Sequence, residues 1–386
     1  MAVRVNKSAF NIREKINELT KRFGLKGSEL AAAETVQKAR DLVSAGRKNL
    51  MFNGAMNIAQ RGTIESSVTA TAFSPDRYKF NLASLGTWTI EQHASGPAEF
   101  NNSFKLTCTS SNASPTANAA AFISYIIEAQ DLQSLKYGTS EARDMTISFW
   151  VQSNKVGDAT FIMLQNDNSN KLFNSKYTIH NANTWEYKTI TIPGDTTGLF
   201  NDDNGEGLQV EWWLDGGSTF IGGDETNWRS FDNTYRNPNN LELGRTDDNY
   251  FSITGIQLEV GKNATDFEYR SHGEELALCQ RYYYRKTSFS AKPMWIYSTS
   301  AGSTQIEFPT EMRSAPTFSY DGTLNTDILV YYGPITNYVT LSSLSGSTVS
   351  PQCCRLNFST STSLTNGYSA GLYTGSNGYL NFSAEF

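Results

Sequence analysis

Charged side chains and histidine are scarce in this 386-residue chain. Asp, Glu, Lys and Arg make up 18% of its residues, and there are three histidines. None of the histidines has a glutamate or cysteine at a spacing typical of a metal site. The patterns GxSxG and GxxxxGK[ST] do not occur either. These absences exclude the common zinc, serine-hydrolase and nucleotide-binding signatures, so we expect no catalytic residue, no cofactor and no enzymatic activity.

Long apolar runs are also missing. No run reaches the roughly 18–20 residues that a membrane-spanning helix needs, and the first ten residues contain no apolar signal core. There are only four cysteines, of which Cys353 and Cys354 are adjacent. Disulfides between neighbouring cysteines are strained, so we expect free thiols. The sequence therefore predicts a protein made in a reducing cytoplasm, without membrane insertion.

Aromatic residues, by contrast, are abundant: the chain has 22 Phe, 19 Tyr and 7 Trp. Apolar and polar residues alternate clearly in 146–151 and 188–192, a period of two that is typical of strands with one buried face. Turn residues separate such runs. We therefore predict a mainly-β protein whose residues 49–270 form an antiparallel, jelly-roll-like sandwich that opens with a strand at 49–53. Its long loops are predicted at 166–175, 194–207 and 215–240.

Residues 1–48 have a different character. Ile12, Ile16, Leu19 and Phe23 follow the 4, 3, 4 spacing of a heptad stripe, and a second amphipathic helix is predicted up to about Ser44. The segment has 11 basic and 5 acidic residues, a net charge of +6, which leaves −12 for the remainder. Two such helices cannot bury both stripes alone. They pack either on the β-body or, as the heptads and charge favour, on other copies or another protein.

The segment 251–286 is predicted to close the sandwich and lead out of it. Ile256, Leu258 and Val260 alternate with polar residues, which indicates a half-buried strand. Ser271 and Glu274 then match a capping box, which predicts a junction helix within 271–286. Residues 287–386 are predicted to form a second β-domain with few charges. The acidic body as a whole argues against nucleic acid as a partner.

Several motifs resemble one family when they are taken together and in order. They are NLMFNG at 49–54, AQRG at 59–62, DRY at 76–78, ITGIQLE at 253–259, FEYRS at 267–271 and GEELALCQRYY at 273–283. This set resembles a module of tail fibre and minor tail proteins of tailed bacteriophages. The family usually has Trp where this chain has Tyr78. The resemblance covers roughly residues 49–286.

The resemblance implies a virion structural protein, assembled in the host cytoplasm. It implies a homotrimeric tail fibre, attached to other virion proteins through residues 1–48, with the 49–270 sandwich as a spacer of carbohydrate-binding-module type. Two alternatives stay open. One is a virion-associated glycan depolymerase, whose paired carboxylates would meet only in space. The other is a fibre on the capsid or tail without receptor contact.

The distal region 287–386 carries the candidate binding residues. Trp295, Tyr297, Tyr331 and Tyr332 lie among many Ser, Thr and Asn residues. Aromatic faces stack on the C–H surfaces of sugars, and hydroxyl and amide groups bond their hydroxyls. Trp295 and Tyr297 are two residues apart and should share one strand face. We expect host surface glycan as ligand, the alternative being that these side chains fill a core or an oligomer interface.

Two further sequence patterns each allow more than one interpretation. Trp212 and Trp213 are neighbours in a predicted strand, so one should face the core and the other should be exposed or face a neighbour. Asp202, Asp203 and Glu206 form the densest acidic cluster. It could supply oxygen ligands to calcium, but it lacks the EF-hand spacing, and a plain hairpin loop is the favoured interpretation.

Overall fold

Alternating apolar and polar residues form strands through most of the chain that the structure describes. This structure is a computed structural model, and it describes residues 47–223, 226–287, 292–333 and 337–386. The predicted N-terminal helices, with Ile12, Ile16, Leu19 and Phe23, lie outside the described residues. Within the described ranges no helix is long and apolar enough to cross a membrane.

The first β-region spans residues 64–260. Its strands are Ile64–Val68 (β1), Ala72–Phe73 (β2), Lys79–Ala83 (β3), Thr87–His93 (β4), Ser103–Ser110 (β5), Ala120–Glu128 (β6), Met145–Ser153 (β7), Gly157–Gln165 (β8), Lys171–Ile179 (β9), Glu186–Ile192 (β10), Glu206–Gly216 (β11), Arg229–Ser230 (β12) and Tyr250–Val260 (β13). Short 3₁₀ helices occur at Ala129–Leu135, Asn233–Tyr235 and Leu243–Arg245.

These strands form two antiparallel sheets. The first has the order β1-β4-β5-β13-β7-β10, and the second has the order β12-β9-β8-β11-β6-β3-β2. Side chains from both sheets share one buried core that includes Trp88, Phe149, Phe161 and Trp212. The prediction of a mainly-β protein with an antiparallel sandwich is therefore confirmed.

A short helix follows the sandwich. Helix α1 covers His272–Gln280, and the side chain of Ser271 accepts a hydrogen bond from the backbone N–H of Glu274 at 3.4 Å, which confirms the predicted cap. The helix is shorter than the predicted 271–286. The chain from Tyr283 onward is extended because it pairs with the last strand of the protein.

The second β-region begins directly after α1. Its strands are Tyr283–Thr287 (β14), Lys292–Ser298 (β15), Ala301–Glu307 (β16), Thr317–Asp321 (β17), Ile328–Tyr332 (β18), Asn337–Val339 (β19), Leu341–Ser347 (β20), Cys353–Thr360 (β21), Ser369–Thr374 (β22) and Tyr379–Ser383 (β23). They form a three-stranded sheet, β14-β23-β17, and a seven-stranded sheet, β19-β18-β22-β15-β16-β21-β20. Both sheets contribute to a second core that includes Ile296, Leu356, Leu372 and Phe382.

Three predictions about local structure are wrong. Strand β13 is predicted to be half-buried, but both of its faces are buried, and the polar residues Gln257 and Glu259 are 0% and 4% exposed. Residues 49–53, predicted as a strand, form none, since Asn53 takes a positive φ of 56° and its side chain bonds the backbone of Ile58. The segment 166–175 is predicted as a loop, but β9 begins at Lys171. Its register with β8 turns Phe173 into the main core, and Leu172 on the opposite face packs in a second buried cluster with Trp213 and Phe220.

Arg77 joins the two β-regions. Its guanidinium donates to the carboxylate of Glu385 at 2.6 Å and lies 3.3 Å from the ring centre of Tyr282. Its side chain is almost fully buried, so the charge is compensated by the carboxylate and by the ring faces of Tyr282 and Tyr125. An arginine of the sandwich is thus held by residues at the start and the end of the second β-region.

A second ion pair connects the two β-regions, and in this pair the sandwich supplies the carboxylate, that of Glu128. Arg281 binds both of its carboxylate oxygens, at 2.7 and 2.6 Å, and the hydroxyl of Tyr282 donates to it as well. Burial raises the pKa of Glu128, but the hydrogen bonds from Arg281 and Tyr282 outweigh it and hold the pKa below its ordinary value. A bidentate arginine–carboxylate pair of this kind fixes orientation as well as distance.

Gln60 completes the joint between the two regions. Its side-chain amide donates to the carbonyl of Tyr283 at 2.6 Å, and its backbone N–H donates to Asp76 at 2.9 Å. Arg285 in turn donates to the carbonyl of Arg61 at 2.7 Å. The QRG, DRY and CQRYY motifs therefore meet in space, and their side chains lock the second β-region onto the sandwich.

Candidate ligand-binding face of the second β-region

The outer face of the seven-stranded sheet carries the predicted aromatic pair. Along β15, Met294 and Ile296 are buried in the core, whereas Trp295 is 59% exposed and Tyr297 is half-buried. The two rings are 5.7 Å apart, centre to centre, and tilted by 54°. The structure thus places Trp295 and Tyr297 together on one open strand face, as the period of two predicts.

A shallow groove of about 640 Å³ lies beside Trp295. Cross-strand register builds it: Trp295 is opposite Ser303 on β16 and opposite Ser369 on β22, and Gln305 is opposite Arg355. Tyr368, which is also exposed, lines the same groove. Aromatic rings, hydroxyls and an amide therefore converge on one concave surface, the combination that orients a polar ligand with apolar faces.

Arg355 is the cation of this groove. Its guanidinium donates to the Ser303 hydroxyl at 3.0 Å and lies 5.7 Å from the ring centre of Tyr297. No carboxylate of the described residues lies within ion-pair distance of it. The charge is thus held in place by a hydroxyl and an aromatic ring at the lining of the groove.

The other two candidate residues, Tyr331 and Tyr332, lie on opposite faces of β18. Tyr331 is half-buried and forms edge contacts with Tyr338 and Tyr373, at 6.1–6.5 Å between ring centres. Tyr332 is 2% exposed, and its hydroxyl accepts a hydrogen bond from the backbone of Thr365 at 2.8 Å. Adjacent strand residues point to opposite faces, so Tyr331 belongs to the open face and Tyr332 to the core.

The remaining sequence candidates lie elsewhere. Trp212 and Trp213 are both fully buried, so neither is exposed; the second is covered by Phe220 and by Arg236 from the long loop after β11. In the acidic cluster, Asp203 accepts a bond from the backbone of Gly205 at 2.8 Å. No group of three or more His, Cys, Asp or Glu in the described ranges has the arrangement of a metal site.

Sequence reasoning missed one contributor to the groove, Arg355, whereas Tyr368 belongs to the same aromatic set of the C-terminal region as Trp295 and Tyr297. Arg355 could have been found from its alternation with the buried Cys354 and Leu356, which places it on the outer face. Its proximity to Trp295 depends on the order of the strands in the sheet, which the alternation does not predict.

Comparisons with known proteins give no family. No family model matches this chain, and no curated protein matches it. Among solved structures, it is similar to the enzymatically active domain of tailspike protein 4 of bacteriophage CBA120, at 12% identity and a TM-score of 0.29. That match covers 55% of this chain and 21% of the tailspike chain.

Carbohydrate-binding modules are also similar. The module TmCBM61, in complex with β-1,4-galactotriose, matches at 10% identity and a TM-score of 0.29, with 55% of this chain and 99% of the module covered. The family 11 module of Clostridium thermocellum matches at 10% identity and a TM-score of 0.27, covering 53% of this chain and 98% of the module. Such low TM-scores carry no argument about function, which is therefore argued from the residues of this chain.

Proposed function

We propose that this chain is a non-enzymatic structural subunit of a tailed-phage tail fibre whose second β-region binds a glycan on the host surface. The observation that carries the binding role is the open face of Trp295 and Tyr297 beside a polar groove. The ordered motifs between residues 49 and 283 support the phage assignment.

The chemistry of the face suits a sugar. A pyranose ring presents C–H groups to an aromatic face and hydroxyls to its rim, and the groove offers both partners. One such shallow site is expected to bind weakly, with a dissociation constant of about 1 mM, or ~4 kcal/mol. Several copies on one particle would raise the effective affinity without any new contact.

The joint supports a rigid arrangement of the two regions. Arg77, Glu128 and Arg281 connect them through buried or half-buried ion pairs, so the face is carried on one body with the sandwich. A rigid connection preserves the orientation of repeated sites, and multivalent binding requires that the sites engage together.

The test replaces both aromatic residues in the full-length protein. Trp295→Ala with Tyr297→Ala should lower adsorption to host cells and binding to their isolated surface polysaccharide at least tenfold, because the stacking platform is removed. Ile64→Ala, an exposed apolar residue of the sandwich, is the matched control and should leave both unchanged. Full binding by the double variant, with an unchanged circular dichroism spectrum, would refute this site.

Attachment and oligomerisation are proposed for residues 1–48. Ile16→Asp places a charge in the heptad stripe, and burying an unpaired charge is strongly unfavourable. The variant should lose the trimer mass in light scattering, while the β-signal persists. Deletion of residues 1–48 should leave a folded β-body that no longer incorporates into virions. Normal incorporation would place the attachment elsewhere.

The enzymatic alternative has its own measurement. A glycan depolymerase would release reducing ends from host polysaccharide. We expect the full-length protein to bind the polysaccharide without increasing its reducing ends over prolonged incubation. A steady release that disappears when the purified protein is heat-inactivated would replace the structural proposal with an enzymatic one.

A further inference from the structure

The first sheet of the sandwich carries a second groove, of about 620 Å³, on its outer face. It lies on the part of the chain that the sequence predicts to be a spacer. Its lining residues are mostly hydroxyl-bearing and aromatic: Thr146, Ser148, Trp150, Tyr187, Thr189, Thr191 and the segment 262–267, with Glu99, Phe100 and Gly255 at one end.

The floor of the groove follows from the register of β7 and β10. Trp150 is opposite Tyr187, Ser148 is opposite Thr189, and Thr146 is opposite Thr191. The residues between them, such as Ile147 and Ile190, face the core, so these three pairs share the outer face. The floor is therefore an aromatic pair followed by two hydroxyl-bearing pairs. Thr189 and Thr191 on β10 are exposed, whereas Ser148 and Thr146 on β7 are almost fully buried. The hydroxyls of Thr146 and Thr191 donate to the carbonyls of Gly261 and Lys262, at 2.8 and 3.1 Å.

The aromatic pair forms the end of the floor. The rings of Trp150 and Tyr187 are 5.3 Å apart, and Tyr187 is 44% exposed. Phe100 and Phe267 meet edge to face at 5.0 Å and border the same end. An apolar surface of this kind, open to solvent on a sheet edge, is suited to one face of a sugar ring.

The wall of the groove is the segment 262–267, which is fixed to the sheet. The buried carboxylate of Glu259 accepts bonds from the backbone N–H and the hydroxyl of Thr265, at 2.8 and 2.7 Å. The Gln257 side chain accepts from the backbone of Glu268 at 2.8 Å. These buried bonds hold the wall in position, so the groove is formed without a ligand.

The charges around the groove favour an uncharged ligand. Lys262 is the cation among the lining residues, and it is paired with Asp144 at 3.2 Å. Glu99 and Asp266 contribute carboxylates, which repel anions and accept hydrogen bonds from hydroxyl groups. A phosphate or uronate would thus meet excess negative charge, whereas a neutral polyhydroxylated ligand would not.

We propose that this groove is a second saccharide-binding site, specific for a neutral oligosaccharide, with one sugar ring on Trp150 and Tyr187 and the following rings along the exposed hydroxyl-bearing residues of β10. The sandwich then binds glycan in addition to connecting the attachment segment to the distal face. This assignment goes beyond the proposed function because it does not use Trp295 or Tyr297.

The experiment uses the full-length protein and a panel of neutral probes: cellotetraose, maltotetraose, xylotetraose and β-1,4-galactotriose, with trigalacturonate as the charged probe. Saturation-transfer NMR and tryptophan fluorescence report binding. At least one neutral probe should bind more tightly than trigalacturonate in a protein that already carries Trp295→Ala and Tyr297→Ala, so that the distal face does not contribute.

Two groove variants and one control localise the site. Tyr187→Ala removes half of the aromatic pair, and Thr189→Lys fills the hydroxyl-bearing part of the floor from an exposed edge position; each should weaken probe binding at least tenfold. Ser66→Lys adds the same charge on β1, the opposite edge of the same sheet, and should change nothing.

The outcomes separate the two sites. Failure of every neutral probe to bind, or unchanged binding by a correctly folded Thr189→Lys variant, would overturn the sandwich site. Loss of cell adsorption in the Trp295→Ala, Tyr297→Ala variant concerns only the distal face and leaves the sandwich result standing. Circular dichroism spectra of all variants should coincide with that of the unmodified protein.

Discussion

Trp213 in the sandwich and Trp295 in the second β-region both face outward from their sheets, but only Trp213 is covered. Trp213 in the sandwich is stacked on Phe122 at 4.6 Å, donates to Glu211 at 2.7 Å and lies beneath the guanidinium of Arg236. Trp295 in the second region stands on an open sheet face and is mostly exposed. The strand period alone assigns both to the outer face of a sheet. What separates them is the long loop after β11, which folds back over one and has no counterpart over the other among the described residues.

The regions also differ in the charge beside their open grooves. The sandwich groove has two carboxylates and a cation that is already paired, whereas the distal groove has Arg355, held by a hydroxyl and a ring. If both bind glycan, they select by charge in opposite directions.

The largest expected effect is the difference in stability between a variant that lacks the covered Trp213 and one that lacks the exposed Trp295. Trp213→Ala should lower the free energy of unfolding by about 3–5 kcal/mol, because it leaves a cavity and removes the indole N–H donor from the buried carboxylate of Glu211. Trp295→Ala should change it by less than about 0.5 kcal/mol. Urea unfolding of both variants measures the difference, and similar losses would mean that Trp295 is covered in solution.

Breaking the ion pairs between the two β-regions should lower the free energy of unfolding somewhat less than Trp213→Ala does. Glu128→Ala leaves Arg281 and the Tyr282 hydroxyl without their partner and should destabilise the protein by about 3 kcal/mol. Glu141→Ala, which removes an exposed partner of Lys136, is the control and should leave the free energy of unfolding nearly unchanged. Urea unfolding monitored by fluorescence compares them; an equal effect of the two changes would show that the joint adds no stability.

Lowering the pH should change the stability contributions of two carboxylates at the joint, Glu128 and Asp76, in opposite directions. The folded pKa of Glu128 is below its ordinary 4.5, so its stabilisation is complete above that value and is lost as the pH falls through the folded pKa. Burial raises the pKa of Asp76 above 3.8, against the opposing effects of Arg61 and Gln60. The folded state therefore takes up that proton first, and stability from Asp76 increases as the pH falls.

Two substitutions isolate these contributions. In urea unfolding between pH 7 and pH 3, Glu128→Gln should flatten the loss of stability below pH 4.5, and Asp76→Asn should steepen it, because the compensating protonation is gone. Parallel profiles for both variants and the unmodified protein would show that neither carboxylate changes its pKa on folding.

The smallest expected effect concerns charge selection at the distal face. Arg355→Gln should weaken binding of an acidic oligosaccharide about fivefold, or ~1 kcal/mol, since the site is partly exposed, and leave a neutral one unchanged. Trigalacturonate and galactotriose, titrated against the full-length protein, provide the pair. An equal loss for both probes would make Arg355 a structural support of Tyr297 instead of a charge selector.

Local signals predicted much of the secondary structure. The alternation predicts the position of β13, although not the burial of its polar face, and Ser271 with Glu274 predicts the start of α1. The same alternation places Trp295 and Tyr297 on one face. These predictions succeed because the period of two and the helix cap depend on neighbours in sequence, and tertiary contacts here reinforce them.

The sequence by itself thus determined the β class, most strand positions and the helix after the sandwich. Tertiary structure decided what each exposed or buried residue meets. In the sequence Arg77, Glu128 and Arg281 are separate charged residues, and the fold brings Arg77 to Glu385 and Arg281 to Glu128 across more than 150 residues of chain. The exposure of Trp295, the burial of Trp213 and the convergence of the 262–267 segment with β7 and β10 depend likewise on strand order and loop coverage. Both are set by long-range packing, which leaves no periodic trace in the local sequence.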